Sequence, residues 1–582
     1  MPRVWKVANQ MHKDALQDIH PSWLVRQLLW NRGIQSVEGA QVFLKPDYGR
    51  DLHDPFLFRD MERAVERILR AVDEKETIVI HGDYDADGVC ASAILATTLE
   101  LLGASPHVHL PHRLEDGYGV SMNAIEQFLK MHAQLLITVD CGIANREAIG
   151  HAASHQVDTI VVDHHRAPKR FPPAHAILHC DIPGEPYPFR KLSAGGVAFK
   201  LAQAIVRTAR FKTLHLSERN VEAFEKWLLD LVAISTVADV MPLIGENRTL
   251  VHYGLRVLSR SRRVGLIALM RRAGLLKYRE DVRENERMLR ARDIAFGIAP
   301  RLNAAGRMAH ASLAYDLLRV EEDTRVDELV QELERVNQQR QRATDAMYAE
   351  ALIQMKRLGD TPIIVVANND WSVGLVGLLA GKLADEYARP VFAIGNIKGR
   401  WTGSCRAVPG FDCISTLEGV APCLMRWGGH TDAAGFTLRN DVTIEAFRNA
   451  LIVAVLQGGF SHHRPHLDID ARAGLEEVGE TTVETLESFA PFGEGNPSPL
   501  ILTTNCRVCE VSTVGRDNMH VKCMVVDEEG ARKRAIAFHH MRDDEGILKE
   551  GAVVDIVYEP RMNTWNGKRE VELHIKDSRL SE

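Results

Sequence analysis

Three apolar runs constrain the fold of this chain more than any other feature. "TIVIHGDYDADG" (77–88), "LLITVDCG" (135–142) and "TIVVDHH" (159–165) each begin with aliphatic, β-branched-rich residues and end in carboxylates. Unbroken runs of this kind read as strands buried on both faces of a parallel sheet. "VCASAILATTLELLG", "SMNAIEQFLKMHA" and "NREAIGHAASH" read as helices between them, and "HVHLP" as a further strand. Strands alternating with helices predict a doubly wound α/β lobe, whose ligands bind beyond the carboxyl ends of the strands.

Those carboxyl ends carry unusual chemistry. After the first run come His81, Asp83, Asp85 and Asp87; after the second, Asp140; after the third, Asp163, His164 and His165. Inside the apolar "LLDLVAISTVADVMPL", Asp239 stands out. A single Asp after a strand is usually a turn former or helix cap, and a lone His pair is often surface. Carboxylates gathered at one sheet edge, however, raise each other's pKa, and a divalent cation relieves that repulsion. Mixed carboxylate and imidazole donors suit manganese, zinc or iron better than calcium. The donors suffice for two metals sharing a bridging carboxylate, an arrangement suited to phosphoester hydrolysis.

The remainder divides by pattern. Residues 1–50 read as a helical segment and 51–319 as the first lobe. Residues 320–358 read as one charged connecting helix, either a spacer or a solvated helix on one lobe. A second α/β lobe is expected over 359–460, "SHHRPH" as a linker, and short strands forming a small β-barrel over 465–582. The net charge of -7 and pI near 6.4 mean that any nucleic-acid surface must be local. No run of 18 apolar residues suggests a membrane span, and the first residues lack a signal-peptide core. Nine scattered cysteines are expected as reduced thiols in a cytoplasm.

"HGDYDADG", "TVDCG", "VVDHH" and "VADVMPL", in this order, resemble the four motifs of the DHH phosphoesterase superfamily. "PHRLEDGYG" (111–119), "APRLNAAGRM" (299–308), "WGGHTDAAGF" (427–436) and "FAPFGEGNPSP" (489–499) are similar to segments of its RecJ-like exonuclease family. The resemblance spans roughly residues 25–580. It implies an α/β DHH domain with a parallel sheet, a smaller DHH-associated α/β domain joined by a long helix, and a C-terminal OB-like barrel. It implies two divalent cations, Mn2+ or Mg2+, with His81, Asp85 and Asp140 at one and Asp87, His164 and Asp239 at the other. Asp140 would bridge them, His165 would touch the scissile phosphate, and Asp163 would orient its neighbours. Asp83 is left with a supporting role. The implied activity is 5′ to 3′ hydrolysis of single-stranded DNA in repair and recombination, by a cytoplasmic monomer working with a single-strand-binding protein and a helicase.

Arg113, Arg301, Asn303, Arg307, Ser404, Arg406 and His430 are the candidate nucleic-acid contacts. Ordinary surface arginines and glycine-rich loops are the alternative; the resemblance favours contacts to the strand or its terminal phosphate. The arginine-rich stretch 256–292 has helical spacing and reads as solvated helix faces. Arg516, His520, Lys522, Trp565 and Lys568 are candidate contacts on the barrel. Cys506, Cys509, His520 and Cys523 outline a zinc site, but a strand would point positions three apart to opposite faces. Two rivals remain: a DHH enzyme acting on short oligonucleotides or cyclic dinucleotides, and an inactive scaffold. The first would not need a barrel, and the second would be expected to have lost ligands.

Overall fold

The computed structural model describes residues 3–581 except 114–115, 118, 213–216, 277–287, 360, 461–465, 516–518, 539–545 and 566–567. The acidic runs do end parallel strands: β1 (Ile78–His81), β2 (His107–His109), β3 (Leu135–Val139), β4 (Asp158–Val162) and β5 (Ala176–Leu178). Their order is β2-β1-β3-β4-β5, parallel throughout. The chain leaves β1 toward one edge and returns to β3 on its other side. The gap between β1 and β3 is therefore the topological switch point, where such sheets bind ligands. Helix α1 (Ala86–Leu101) starts at that gap and is buried almost throughout by α2 (Ala194–Lys212) and α3 (Leu229–Ala238). Its small side chains allow that close packing. α4 (Gly245–Leu258) and α5 (Ala299–Met308) complete this face.

Helix α6 (Asp323–Leu358) runs for 36 residues. Val330 and Leu333 enter the first lobe's core, whereas Met347 and Ala351 enter the second's. The helix thus serves both lobes instead of lying on one. The second lobe has strands β6 (Ile364–Ala367), β7 (Val391–Ile397), β8 (Arg400–Arg406), β9 (Leu424–Gly429) and β10 (Ala433–Leu438), in order β9-β10-β8-β7-β6. Helix α7 (Val376–Tyr387) packs on β7 and β8.

The C-terminal region contains β11 (Ala471–Arg472), β12 (Ile501–Val514), β13 (His520–Val526), β14 (Arg532–Ala537), β15 (Val553–Trp565) and β16 (Lys568–Leu580). The last five close into a barrel through the β12–β15 pairing. Cys506 and Cys523 point into its core. The side chains of Arg516, Trp565 and Lys568 lie outside the described residues. Much of the N-terminal segment joins this barrel. The strand Val4–Val7 pairs in parallel with His466–Ile469, and helices at Trp23–Asn31 and Val37–Leu44 place Leu24, Val25, Leu28, Leu29 and Ala40 in the barrel core.

Candidate active site

Each strand end contributes one piece of a single acidic cluster. Asp85 caps α1, its Oδ1 accepting from the amides of Asp87 and Gly88 at 2.9 and 3.2 Å. Asp87, in the first turn, is itself gripped by α2 and α3: its carboxylate accepts from Ala194 N at 2.9 Å and Gly195 N at 2.8 Å of the first and from the Ser235 hydroxyl of the second. Asp140 follows β3 with φ 62°, a left-handed backbone rare for a residue with a side chain. Such strain concentrates where a side chain must be aimed. Asp163 is fully buried and accepts from Ile143 N, His164 N and His165 N and from His165 Nδ1, the last at 2.8 Å. It fixes the two imidazoles that follow it.

His164 Nε2 lies 3.2 Å from Asp140, 3.6 Å from Asp87 and 3.6 Å from Asp239. Among the described residues, three sets of ligand atoms fall within 4.8 Å of one another: Asp83, Asp85 and Asp140; Asp87, His164 and Asp239; and Asp140, His164 and His165. The first two form adjacent donor sets, and Asp140 reaches from the first toward His164 of the second. Asp83 Oδ1 is buried without a hydrogen-bond partner. An orphaned carboxylate oxygen inside a ring of carboxylates fits a hard divalent cation.

The electrostatics agree. Burial, and then the neighbouring Asp85, raise Asp83 well above the carboxylate range and Asp87 to about 6. Burial and Asp87 raise Asp140 well above it and Asp239 to about 8. Burial and His165 lower His164 to about 3, leaving a neutral imidazole suited to ligation. His165 differs: burial disfavours its charge, but the bonded Asp163 outweighs burial and lifts it to about 9. A cationic imidazole therefore stands beside the cluster, its side chain one-third exposed.

His81 is not brought to the cluster. It ends β1 in register with His109, so its ring turns to that neighbour, with Nδ1 to Nδ1 at 3.0 Å and Nε2 near Gly119 O. Asp83 stands where His81 was expected. Arg301 is also directed elsewhere, pairing with Glu334 of α6 at 2.8 Å and with Gly297 O. Asn303 Oδ1 accepts from Ala86 N at 2.7 Å, so it buttresses the start of α1.

Three other arginines do converge. Arg113 lies over the Tyr84 ring at 4.7 Å. Burial and then Arg113 lower Arg307 to about 10, and Arg406 also lies within its electrostatic reach. Arg406, from the end of β8, is lowered chiefly by burial, with Arg113 adding to the effect. Its Nη1 donates to Ser404 Oγ at 2.9 Å. Gly377 makes room here, since a Cβ on it would lie 3.2 Å from Arg406 and 3.4 Å from Ser404. Both lobes thus bring cations to the edge of the acidic cluster, and an oligoanion would relieve their repulsion. His430 is exposed at the end of β9.

Residues 77–236 match the DHH family N-terminal domain, 360–456 the DHHA1 domain and 469–577 the RecJ OB domain. The single-stranded-DNA-specific exonuclease RecJ of Bacillus subtilis is 34% identical over 574 residues, 98% of this chain and 70% of that protein. The chain belongs to the RecJ family. A crystal structure of RecJ with Mn2+ from Thermus thermophilus superimposes with a TM-score of 0.81 at 27% identity, covering 100% of this chain and 80% of that one. Another, with Mg2+, gives 0.74 at 25% identity, covering 100% and 79%. Within this RecJ-family site, the residue pattern named Asp83 among the strand-end carboxylates but did not show that it groups with Asp85 and Asp140, nor that Ser235 bonds Asp87. A serine in the largely apolar α3 was the available signal for the second.

Proposed function

We propose that this RecJ-family chain hydrolyses phosphodiester bonds of single-stranded DNA at the β1–β3 switch point. The observation that carries this is the pairing of an acidic, histidine-bearing cluster with the Arg113, Arg307 and Arg406 group. Asp83, Asp85 and Asp140 would hold one divalent cation, Mn2+ or Mg2+, and Asp87, His164 and Asp239 the other. When bound, such cations supply Lewis acidity that activates water and offsets charge on the phosphate oxygens. The protein does the rest. Asp163 keeps His165 protonated and aimed at the cluster, where it can donate to a phosphate oxygen. Arg113, Arg307, Ser404 and Arg406 hold the strand or its terminal phosphate, and the barrel tracks the rest of it.

By family resemblance, polarity is 5′ to 3′, the partners are a single-strand-binding protein and a helicase, and the chain is a cytoplasmic monomer. Among the described residues no helix is long and apolar enough to cross a membrane. We place the working units at 51–319, 359–460 and 465–582, with 320–358 between the first two and 1–50 attached to the third. Digestion of strands labelled at either end, as DNA and RNA, with each cation, tests the reading. Stepwise release from the 5′ end of DNA is expected; cleavage of dinucleotides alone would replace it with the short-oligonucleotide reading.

A further inference from the structure

The loop that carries Asp239 is held from outside its own lobe. Asp239 closes the carboxyl end of α3, and Val240 follows with φ 55°. A β-branched residue in left-handed backbone is strained, so the surroundings must hold the turn in place. Its own helix closes the turn, Val240 N donating to Val237 O at 3.2 Å and Met241 N to Thr236 O at 3.0 Å, and beyond it the chain is held by the C-terminal domain. Leu243 N donates to Glu494 O at 2.7 Å. Gly493 lies so close that a Cβ there would sit 2.7 Å from Leu243 Cδ1.

The downstream anchor is the first turn of α4, where Glu246, Asn247 and Arg248 are all buried. Glu246 accepts from the Tyr187 hydroxyl and His53 N and pairs with Lys200. Asn247 donates to Pro242 O and Lys191 O. Arg248 reaches Phe43 O, Ser488 O and Phe489 O, with its guanidinium 4.0 Å from the Phe43 ring centroid. Among the described residues no carboxylate forms an ion pair with Arg248. Burying a guanidinium on carbonyls alone carries a desolvation cost that no ion pair offsets, so the contact specifies geometry more than it stabilises. The far side of the contact is braced too. Asn496 Nδ2 donates to Phe489 O and Pro491 O, and Arg32 donates to Asn496 Oδ1 and Pro497 O.

We propose that the 488–497 segment of the C-terminal domain is a positioning element for Asp239, acting through Leu243 and Arg248. The barrel domain then governs how completely one of the two cation positions is assembled. This rests on the reading of Asp239 as a ligand.

The test is Mn2+ binding to the metal-free full chain, followed by electron paramagnetic resonance, beside cleavage of single-stranded DNA across Mn2+ concentrations. Asp239→Asn is expected to lose one of two Mn2+ ions. Gly493→Val, which pushes on Leu243, and Arg248→Met are expected to weaken one ion's binding by about tenfold and to leave the other unchanged. Excess Mn2+ should restore their cleavage at a temperature where the metal-free variants are still folded by circular dichroism, so that general destabilisation does not account for the defect. Arg248→Lys, which retains a cation but cannot reach three carbonyls, substitutes if Arg248→Met does not fold. Wild-type affinity for both ions in the Gly493 and Arg248 variants, with one ion lost in Asp239→Asn, overturns the positioning role alone. Two ions bound normally by Asp239→Asn overturn the ligand reading, and the inference with it.

Discussion

Asp140 sits in left-handed backbone over the gap between β1 and β3, within reach of His164 at 3.2 Å. Its replacement by Asn keeps the shape and removes the charge that both donor sets share. Cleavage is expected to fall by roughly 10²–10³-fold or more, the scale of losing a main charge-stabilising group. Single-strand binding, measured by fluorescence anisotropy, should change little, and near-normal turnover would refute the shared-donor assignment. Arg301 and Arg406 make a contrasting pair. Arg406→Met should raise KM for single-stranded DNA with Mn2+ binding intact, whereas Arg301→Met should lower the melting temperature by breaking the tie to Glu334. The reverse pattern would mean that the strand runs along α5. The first-lobe cluster was legible because aliphatic runs and acidic ends are local signals. The choice between His81 and Asp83 was not. Side chains at alternate positions share a face only while the strand lasts, and β1 stops at His81. Beyond it, the loop turns Asp83 inward, and no periodicity reports that. The contacts of Arg301 to Glu334 and of Asn303 to Ala86 N were not legible for a related reason: a polar residue near a site looks the same in sequence whether it meets substrate or braces a helix.

At the scale of elements, the strands and long helices followed from pattern, but the destination of residues 1–50 did not. Amphipathic spacing shows that Leu24, Val25, Leu28 and Leu29 need a partner; it cannot say that the partner is a barrel more than 400 residues later. Leu28→Ala removes a fully buried side chain from that shared core. The expected cost is about 2–5 kcal/mol in the unfolding transition of the C-terminal domain, read by denaturant titration, with Mn2+ binding by the first lobe unchanged. A cost below about 1 kcal/mol would mean that the helix only rests on the barrel.

At the scale of the molecule, the clustered charges make metal-free stability depend on pH. Asp83, Asp140 and Asp239 hold their protons more tightly folded than unfolded, chiefly through burial and then through neighbouring carboxylates, with Asp239 at about 8. His165, at about 9, also binds its proton more tightly when folded, because of Asp163. Groups raised in this way stabilise below their unfolded values and lose that contribution as pH rises through their folded values. The depressed His81 and His164, both at about 3, act in the opposite sense only below their ordinary value, outside this window. In chelator, the first lobe should therefore melt at lower temperature at pH 8.5 than at pH 7, and Mn2+ should raise the melting point more at pH 8.5. A flat metal-free profile would show that the cluster relaxes when empty.

Among the described residues the strand Val4–Val7 pairs with His466–Ile469, and the buried side chains of the two helices after it lie in the barrel core. On the ribosome, these elements must wait for a partner made more than 400 residues later. At ordinary elongation rates that delay is on the order of tens of seconds, during which an apolar helix face stays uncovered. A chaperone that shields nascent chains would guard that face until the barrel has been made. Slowing elongation should therefore lower the soluble yield of the full chain more than that of a chain beginning at residue 51.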